Sequence, residues 1–249
     1  MNPILRRVCR PLTALVVLVA TSAACAADPP PTPSRADLQA CLQRLQPAAL
    51  AAGVSKATFE QHTGTLEPDA TVLAKLDYQP EFKTPVWDYL AALVDDERVS
   101  DGRAMLATHA ATLAEVAKRY GVDAETVVAV WGVESNFGRS LGKYPLTQAL
   151  ATLSCAGRRQ SFFRGELFAA LRILQAGHFA ADKFVGSWAG AFGQTQFMPS
   201  TFERLAVDFD GDGRKDLIDN AADALASTAN FLKQGGWRSG QRWGIEVKL

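Results

Sequence analysis

The sequence predicts a mostly α-helical chain folded as one domain. Three observations carry this expectation. Apolar residues recur at i, i+3 and i+4 in one segment after another, the spacing that gives a helix one apolar face. Residues that start and stop helices bracket those segments, Ser or Asp before them and Gly after them. No stretch reads as a convincing strand. Of the 249 residues, 48% are hydrophobic and 21% charged, which suits a soluble protein with a packed core. Its 26 basic residues balance 26 acidic ones, so no nucleic-acid partner is expected. No fixed-period repeat is visible, which argues against a solenoid.

Residues 1–26 read as a signal peptide and not as part of the fold. Arg6, Arg7 and Arg10 form a basic start, 12–20 a short apolar run, and small residues follow. The expected location is the periplasm. Ala24, Cys25 and Ala26 fit the small-x-small rule for ordinary cleavage; lipidation of Cys25 is the second route, although Ser22 stands where a lipobox prefers Leu. That route would tether the protein to the outer membrane without a spanning helix. No later apolar run is long enough to cross a bilayer. Residues 27–34 read as a Pro-rich, extended linker, and the domain proper as 35–249.

Along the domain, Leu38, Cys41, Leu42 and Leu45 share a face and predict a helix over 35–52. Ser55 is read as the cap of a short helix running to His62. The period is lost over 77–84, where Pro80 and Pro85 argue for an extended strap. Residues 86–93 are apolar and read as a helix. A long amphipathic helix is expected over 100–120, with Met105, Leu106, Leu113, Val116 and Ala117 inward and Gly121 past its end. After the segment 127–138 come a loop to Pro145 and a short helix over 146–153. Residues 158–163 open another helix that runs to Ala176. His178 precedes a loop ending in the small-residue run 186–193. Pro199 ends what precedes it, and Ser200 or Thr201 starts a helix. A last helix over 221–234 is closed by Gly235 and Gly236.

The segment 127–138, VVAVWGVESNFG, organises the rest. Asp123 stands at the cap position and Glu125 in the first turn, where the helix dipole favours an acid. Val127, Val130 and Trp131 recur at helical spacing, and Glu134 falls at i+7 of the same series. A carboxylate is thus expected on the buried stripe, near the helix end that Gly138 marks. Burial and the negative end of the dipole both disfavour its ionised form. Glu134 is therefore expected to hold its proton more tightly than a free Glu, as a general acid near neutral pH must. A buried Glu paired with an Arg is the competing reading, with Arg158 and Arg159 as candidate partners.

The strongest local motif is 208–219, DFDGDGRKDLID. Asp208, Asp210, Asp212, Asp216 and Asp219 occupy loop positions 1, 3, 5, 9 and 12, with Gly213 at position 6. Arg214 at position 7 would offer its carbonyl. Hard oxygen ligands at this spacing suit Ca²⁺. Position 12 is Asp where Glu is usual, and Lys215 at position 8 is not apolar. A single structural ion is the expectation, not a paired regulatory site. The segment 186–201 combines small residues with Ser187, Gln194, Gln196 and Ser200, whose amides and hydroxyls suit sugar hydroxyls and N-acetyl groups; tight packing around a Gly-rich loop is the alternative. Trp188 and Phe197 offer apolar faces there. Cys9 lies in the signal and Cys25 at its end, leaving Cys41 and Cys155. An isolated pair in an oxidising compartment is expected to form a disulfide, and two Cys cannot build a Cys-rich zinc site. No G-x-S-x-G, P-loop or H-E-x-x-H motif appears, and the three His are scattered, so neither an organic cofactor nor a His-based metal site is expected.

Residues 131–138 (WGVESNFG), 187–193 (SWAGAFG) and 196–200 (QFMPS), in this order, resemble the membrane-bound lytic murein transglycosylase B family. The acidic loop is similar to that family's EF-hand-like calcium site, and the likeness runs from about Leu38 to the end. The resemblance implies a lysozyme-like helical domain acting on peptidoglycan glycan strands. It implies cleavage of the β-1,4 bond from N-acetylmuramic acid to N-acetylglucosamine without water, leaving a 1,6-anhydro ring. Glu134 would be the single acid/base, Ser187 and Gln196 would hold the sugars, and Phe162 would line the groove. The family continues past Val247 with a small lobe and a closing helix, so 35–249 reads as a C-terminally truncated catalytic domain. Two alternatives stay open: a hydrolytic muramidase, and an inactive calcium-stabilised wall-binding protein. The oligomeric state is not legible in the sequence.

Overall fold

The computed structural model of the protein describes residues 32–76, 83–241 and 244–248. The signal peptide, Cys25, the start of the linker and residues 77–82 of the expected strap lie outside these residues. The architecture is helical, as predicted, and each helix starts from a recognisable local cause. α1 (Arg35–Ala51) begins with a capping box between Ser34 and Asp37 and buries Leu38, Leu42 and Ala49. α2 (Lys56–Thr63) starts at Ser55, whose hydroxyl accepts from the Thr58 N–H. α3 (Ala70–Lys75) was not expected. Six residues are too few to display a helical period, and the Asp69 carboxylate, which accepts from the Thr71 and Val72 N–H groups, is the signal that marks it. Lys83 and Thr84 form a turn, not a strap, leading into α4 (Val86–Leu93).

The single helix expected over 100–120 is two. α5 (Asp96–Thr108) starts earlier, at Asp95, and α6 (Ala110–Tyr120) follows after His109, whose φ of −104° and ψ of 19° interrupt the helical run. The His109 ring meets Trp131 edge-on at 5.2 Å, so a tertiary contact occupies the break. α6 stops where predicted, at Gly121 in the left-handed region with φ 68°. α7 (Ala124–Ser135), α8 (Leu146–Cys155), α9 (Gln160–Gln175), α10 (Pro199–Leu205) and α11 (Ala221–Gln234) complete the helices. Pro199 sits at the first position of α10, where its missing N–H is harmless, instead of ending the preceding segment. The expectation of no strand is corrected by β1 (Tyr144–Pro145), which pairs antiparallel with β2 (Val185–Gly186). Two residues cannot display alternation.

Two apolar clusters hold these elements. The larger is centred on α8 and α9, with Leu146, Leu150, Leu153, Leu167 and Leu171 fully buried, and α1, α2, α3 and α10 around them. Burying each such side chain contributes roughly 1.5–3 kcal/mol. Phe179, Phe184, Phe192 and Phe202 pack at one end, with the Phe184 and Phe192 rings 4.8 Å apart edge to face. Cys41 and Cys155 form the expected disulfide and tie α1 to α8. The smaller cluster joins α6, α7 and α11 through Leu113, Val116, Val127, Trp131, Leu225 and Ala229. No helix among the described residues is long and apolar enough to cross a membrane.

Candidate active site

The end of α7 is shaped by a reversal of the chain. Asn136 and Phe137 both take positive φ, 50° and 58°, so the helix is capped two residues before the expected Gly138. Phe137 then folds its ring back over α7. Gly132 allows this, because a Cβ there would stand 2.7 Å from the ring. Ser135 locks the reversal: its Oγ accepts from the Gly138 N–H at 2.8 Å and donates to the Gln194 carbonyl.

This places Glu134 differently from the expectation. The stripe through Val127 and Trp131 is buried, but Glu134 is exposed. At its last turn α7 outruns the elements that cover that face, and the carboxylate emerges into a cleft of about 370 Å³. Val130, Gln196, Phe197, Met198 and Phe231 line the cleft with it. These apolar walls thin the water around the carboxyl, and that desolvation raises its pKa above the ordinary Glu value. The expected direction holds, with partial desolvation in a cleft as the cause. Among the described residues nothing pairs with Glu134. Arg158 donates to the Leu76 carbonyl, and the Arg159 guanidinium lies 4.5 Å over the Phe162 ring. Neither arginine is the partner that the competing reading required.

A second depression of about 370 Å³ adjoins the first. Phe162, Arg159, Phe163 and Trp188 line it, and Met198 lines both, so the two form one groove. Phe162 is 39% exposed, a ring face open to that groove. Gln196 sits beside Glu134 at φ 50°, and its Nε2 donates to the carbonyls of Gly193 at 2.9 Å and Leu141 at 3.3 Å. Its side-chain oxygen remains to accept a hydrogen bond. Ser187 is a step removed and lines neither depression. Its Oγ accepts from the Ala191 N–H at 3.0 Å, closing the turn that presents Trp188 and Ala189.

Sequence reading missed Glu166. It is 4% exposed, and its carboxylate accepts from the Ser200 N–H at 2.9 Å and the Ser200 hydroxyl at 2.7 Å. It thereby anchors the first turn of α10 under Met198 and Pro199. A signal was present, because Phe163, Glu166, Leu167 and Ala170 stand at i, i+3, i+4 and i+7. Also missed was Asp223, fully buried in α11, which accepts from the N–H groups of Phe209 and Asp216 at 2.7 Å each. It clamps the acidic loop at both sides, and burial raises its pKa.

Within that loop, carboxylate oxygens of Asp208, Asp210 and Asp212 lie within 4.8 Å of one another. Three hard oxygens so close fit a divalent cation. The other expected ligands also make contacts within the protein, each through one side-chain oxygen or, for Arg214, through its guanidinium. Asp216 Oδ1 accepts from the Ile218 and Asp219 N–H groups at 2.8 Å, and Asp219 meets Lys183 Nζ at 2.6 Å. The Arg214 side chain donates to the His178 carbonyl at 2.8 Å.

A helical domain with an isolated acid at a helix end, facing an aromatic-lined groove, has the lysozyme-like fold of lytic transglycosylases. Residues 37–249 match the family described as Transglycosylase SLT domain, and the chain belongs to it. It is 44% identical to membrane-bound lytic murein transglycosylase B of Escherichia coli K12 over 124 residues, 49% of this chain and 34% of the relative. SltB3 from Pseudomonas aeruginosa in complex with NAG-NAM-pentapeptide superposes with a TM-score of 0.81 at 48% identity, over 85% of this chain and 57% of that one. The Escherichia coli Slt35 structure in complex with calcium gives 0.72 at 31% identity, over 83% of this chain and 65% of that one. The chain thus spans about a third of the curated relative and little more than half of SltB3.

Proposed function

We propose that this chain is a lytic transglycosylase that cleaves the β-1,4 bond between N-acetylmuramic acid and N-acetylglucosamine in peptidoglycan and leaves a 1,6-anhydro end. The observation that carries the proposal is Glu134, unpaired among the described residues and with its pKa raised by desolvation, in the groove of a chain of this family. Glu134 donates its proton to the glycosidic oxygen as the bond to C1 breaks. The substrate's N-acetyl carbonyl supports the positive charge at C1. The Glu134 carboxylate then takes the proton of the C6 hydroxyl as O6 attacks C1, which restores the acid. Hydrolysis by the usual glycosidase routes needs a second carboxylate to activate water or attack C1. Among the described residues lining the cleft, Glu134 is the one acid. Gln196 and the Phe162 ring hold the sugars, and Ser187 contributes through the turn that presents Trp188 to them. Mass spectrometry of digested peptidoglycan should find 1,6-anhydro ends; reducing ends would make the enzyme a muramidase, and intact polymer an inactive wall-binding protein.

We further propose that Asp208, Asp210 and Asp212 hold one structural Ca²⁺, with the Arg214 carbonyl, Asp216 and Asp219 as the remaining ligands. The ion supplies charge balance for five carboxylates in a short loop. An ion that binds only the folded state at about 100 times its dissociation constant adds roughly 2.7 kcal/mol, a rise of roughly 5–10 °C in melting temperature for a domain of this size. Asp210→Ala should remove most of that rise. An unchanged melting curve in chelator would end the idea. We also propose that residues 1–26 act as an export signal that brings the protein to the periplasm, with lipidation at Cys25 as the route to an outer-membrane tether.

A further inference from the structure

Behind the cleft one residue joins three parts of the molecule. Gln194 is 8% exposed. Its backbone N–H donates to the Leu217 carbonyl at 2.7 Å, and its Nε2 donates to the Ile218 carbonyl at 3.0 Å. Leu217 and Ile218 are the two residues before Asp219, at the end of the acidic loop. On the other side, the Gln194 carbonyl accepts from Ser135 Oγ, the residue next to Glu134, and that Oγ accepts from the Gly138 N–H. Two residues along the chain, Gln196 lines the cleft. The join is tight. A Cβ on Gly193, whose φ is +75°, would stand 2.7 Å from the Leu217 carbonyl oxygen, and one on Gly138 would stand 2.9 Å from Gln194 Oε1.

We infer that Gln194 is a positioning residue that links the acidic loop to Glu134, so that the conformation of 208–219 is felt at the acid. The inference rests on the reading of Glu134 as the catalytic acid and of the loop as the ion site. The physical basis is close packing with hydrogen bonds at both ends. A displacement of Leu217 and Ile218 has no void in which to dissipate and moves Gln194. Gln194 then moves Ser135, and with it the last turn of α7. The link is therefore read as a coupling between calcium binding at the loop and the surroundings of Glu134.

Gln194→Met keeps the volume and both backbone hydrogen bonds and removes only the donor to Ile218. Gln194→Glu sets a carboxylate oxygen against the Ile218 carbonyl and should be the more severe. On soluble glycan oligomers, Gln194→Met should lower kcat at least about tenfold, the order expected for a misplaced catalytic group, with KM changed less than about twofold. The alkaline limb of its pH profile should move, because Glu134 sits in altered surroundings. The second readout is independent of activity. In the wild-type chain the Gly138 amide resonance should shift when calcium chloride is added. In Gln194→Met the shift should vanish while calcium still raises the melting temperature. A wild-type Gly138 resonance indifferent to calcium overturns the link. So does a loss of kcat that only tracks the folded fraction with the pH limb unmoved. If Glu134→Gln keeps full activity yet the Gly138 response is present in wild type and absent in Gln194→Met, the link stands and the catalytic reading falls.

Discussion

Replacing Glu134 by Gln is expected to lower peptidoglycan cleavage by roughly 10²–10⁴-fold, the usual contribution of general acid catalysis. The amide keeps the shape of the side chain but has no proton to give the glycosidic oxygen. Folding should survive, because Glu134 has no partner to lose among the described residues and the position is exposed. The sign of the pH dependence follows from the raised pKa. The acid must enter the reaction protonated, so the rate falls as pH rises through the folded-state value, and desolvation moves that limb above the ordinary Glu range. For stability, a carboxyl whose pKa is raised on folding favours the folded state most below its unfolded value. That contribution is lost as pH rises through the folded value. Glu134→Gln should therefore be no less stable than wild type at neutral pH, and slightly more so. Gel clearing by the variant at the wild-type rate would make Glu134 structural.

Removing the disulfide is expected to have the largest effect on stability. Cys41 and Cys155 are separated by 114 positions, and in the chain-entropy model a loop of that order is worth about 4–5 kcal/mol. Against a total stability of about 5–15 kcal/mol this is a large share. The native contacts add to it, since the bridge holds α1 against α8 beside the main core. A Cys41→Ser/Cys155→Ser double variant should show a markedly lower denaturation midpoint at an otherwise helical baseline. Titration of unfolded wild-type protein should find neither thiol free. A double variant within about 1 kcal/mol of wild type would show that helix packing alone carries the N-terminal half.

The sequence alone determined the local architecture. Ser34, Ser55 and Gly121 mark helix ends through hydrogen bonds and backbone freedom that a few neighbouring residues decide. The pairing of Cys41 with Cys155 was legible because no other cysteine remained. The spacing of Asp208, Asp210 and Asp212 was legible because a loop of this kind carries its ligands in one short segment. Where a signal needs length it failed: α3 and the β1–β2 pair are too short for a period, and the break at His109 answers to Trp131, which lies elsewhere in the chain.

Tertiary structure decided which acid is which. Glu134 and Glu166 both fall on an i, i+3, i+4, i+7 stripe, and the pattern reads identically for each. Glu166 is covered by α10 and held by Ser200, while Glu134 passes the end of its cover and faces the groove. Periodicity reports which side of a helix is turned toward the protein, through the hydrophobic residues around it. Whether another element actually covers that side depends on contacts between residues far apart in the chain. Gln194 belongs to the same category, since its partners Ser135, Leu217 and Ile218 come from segments that only folding brings together.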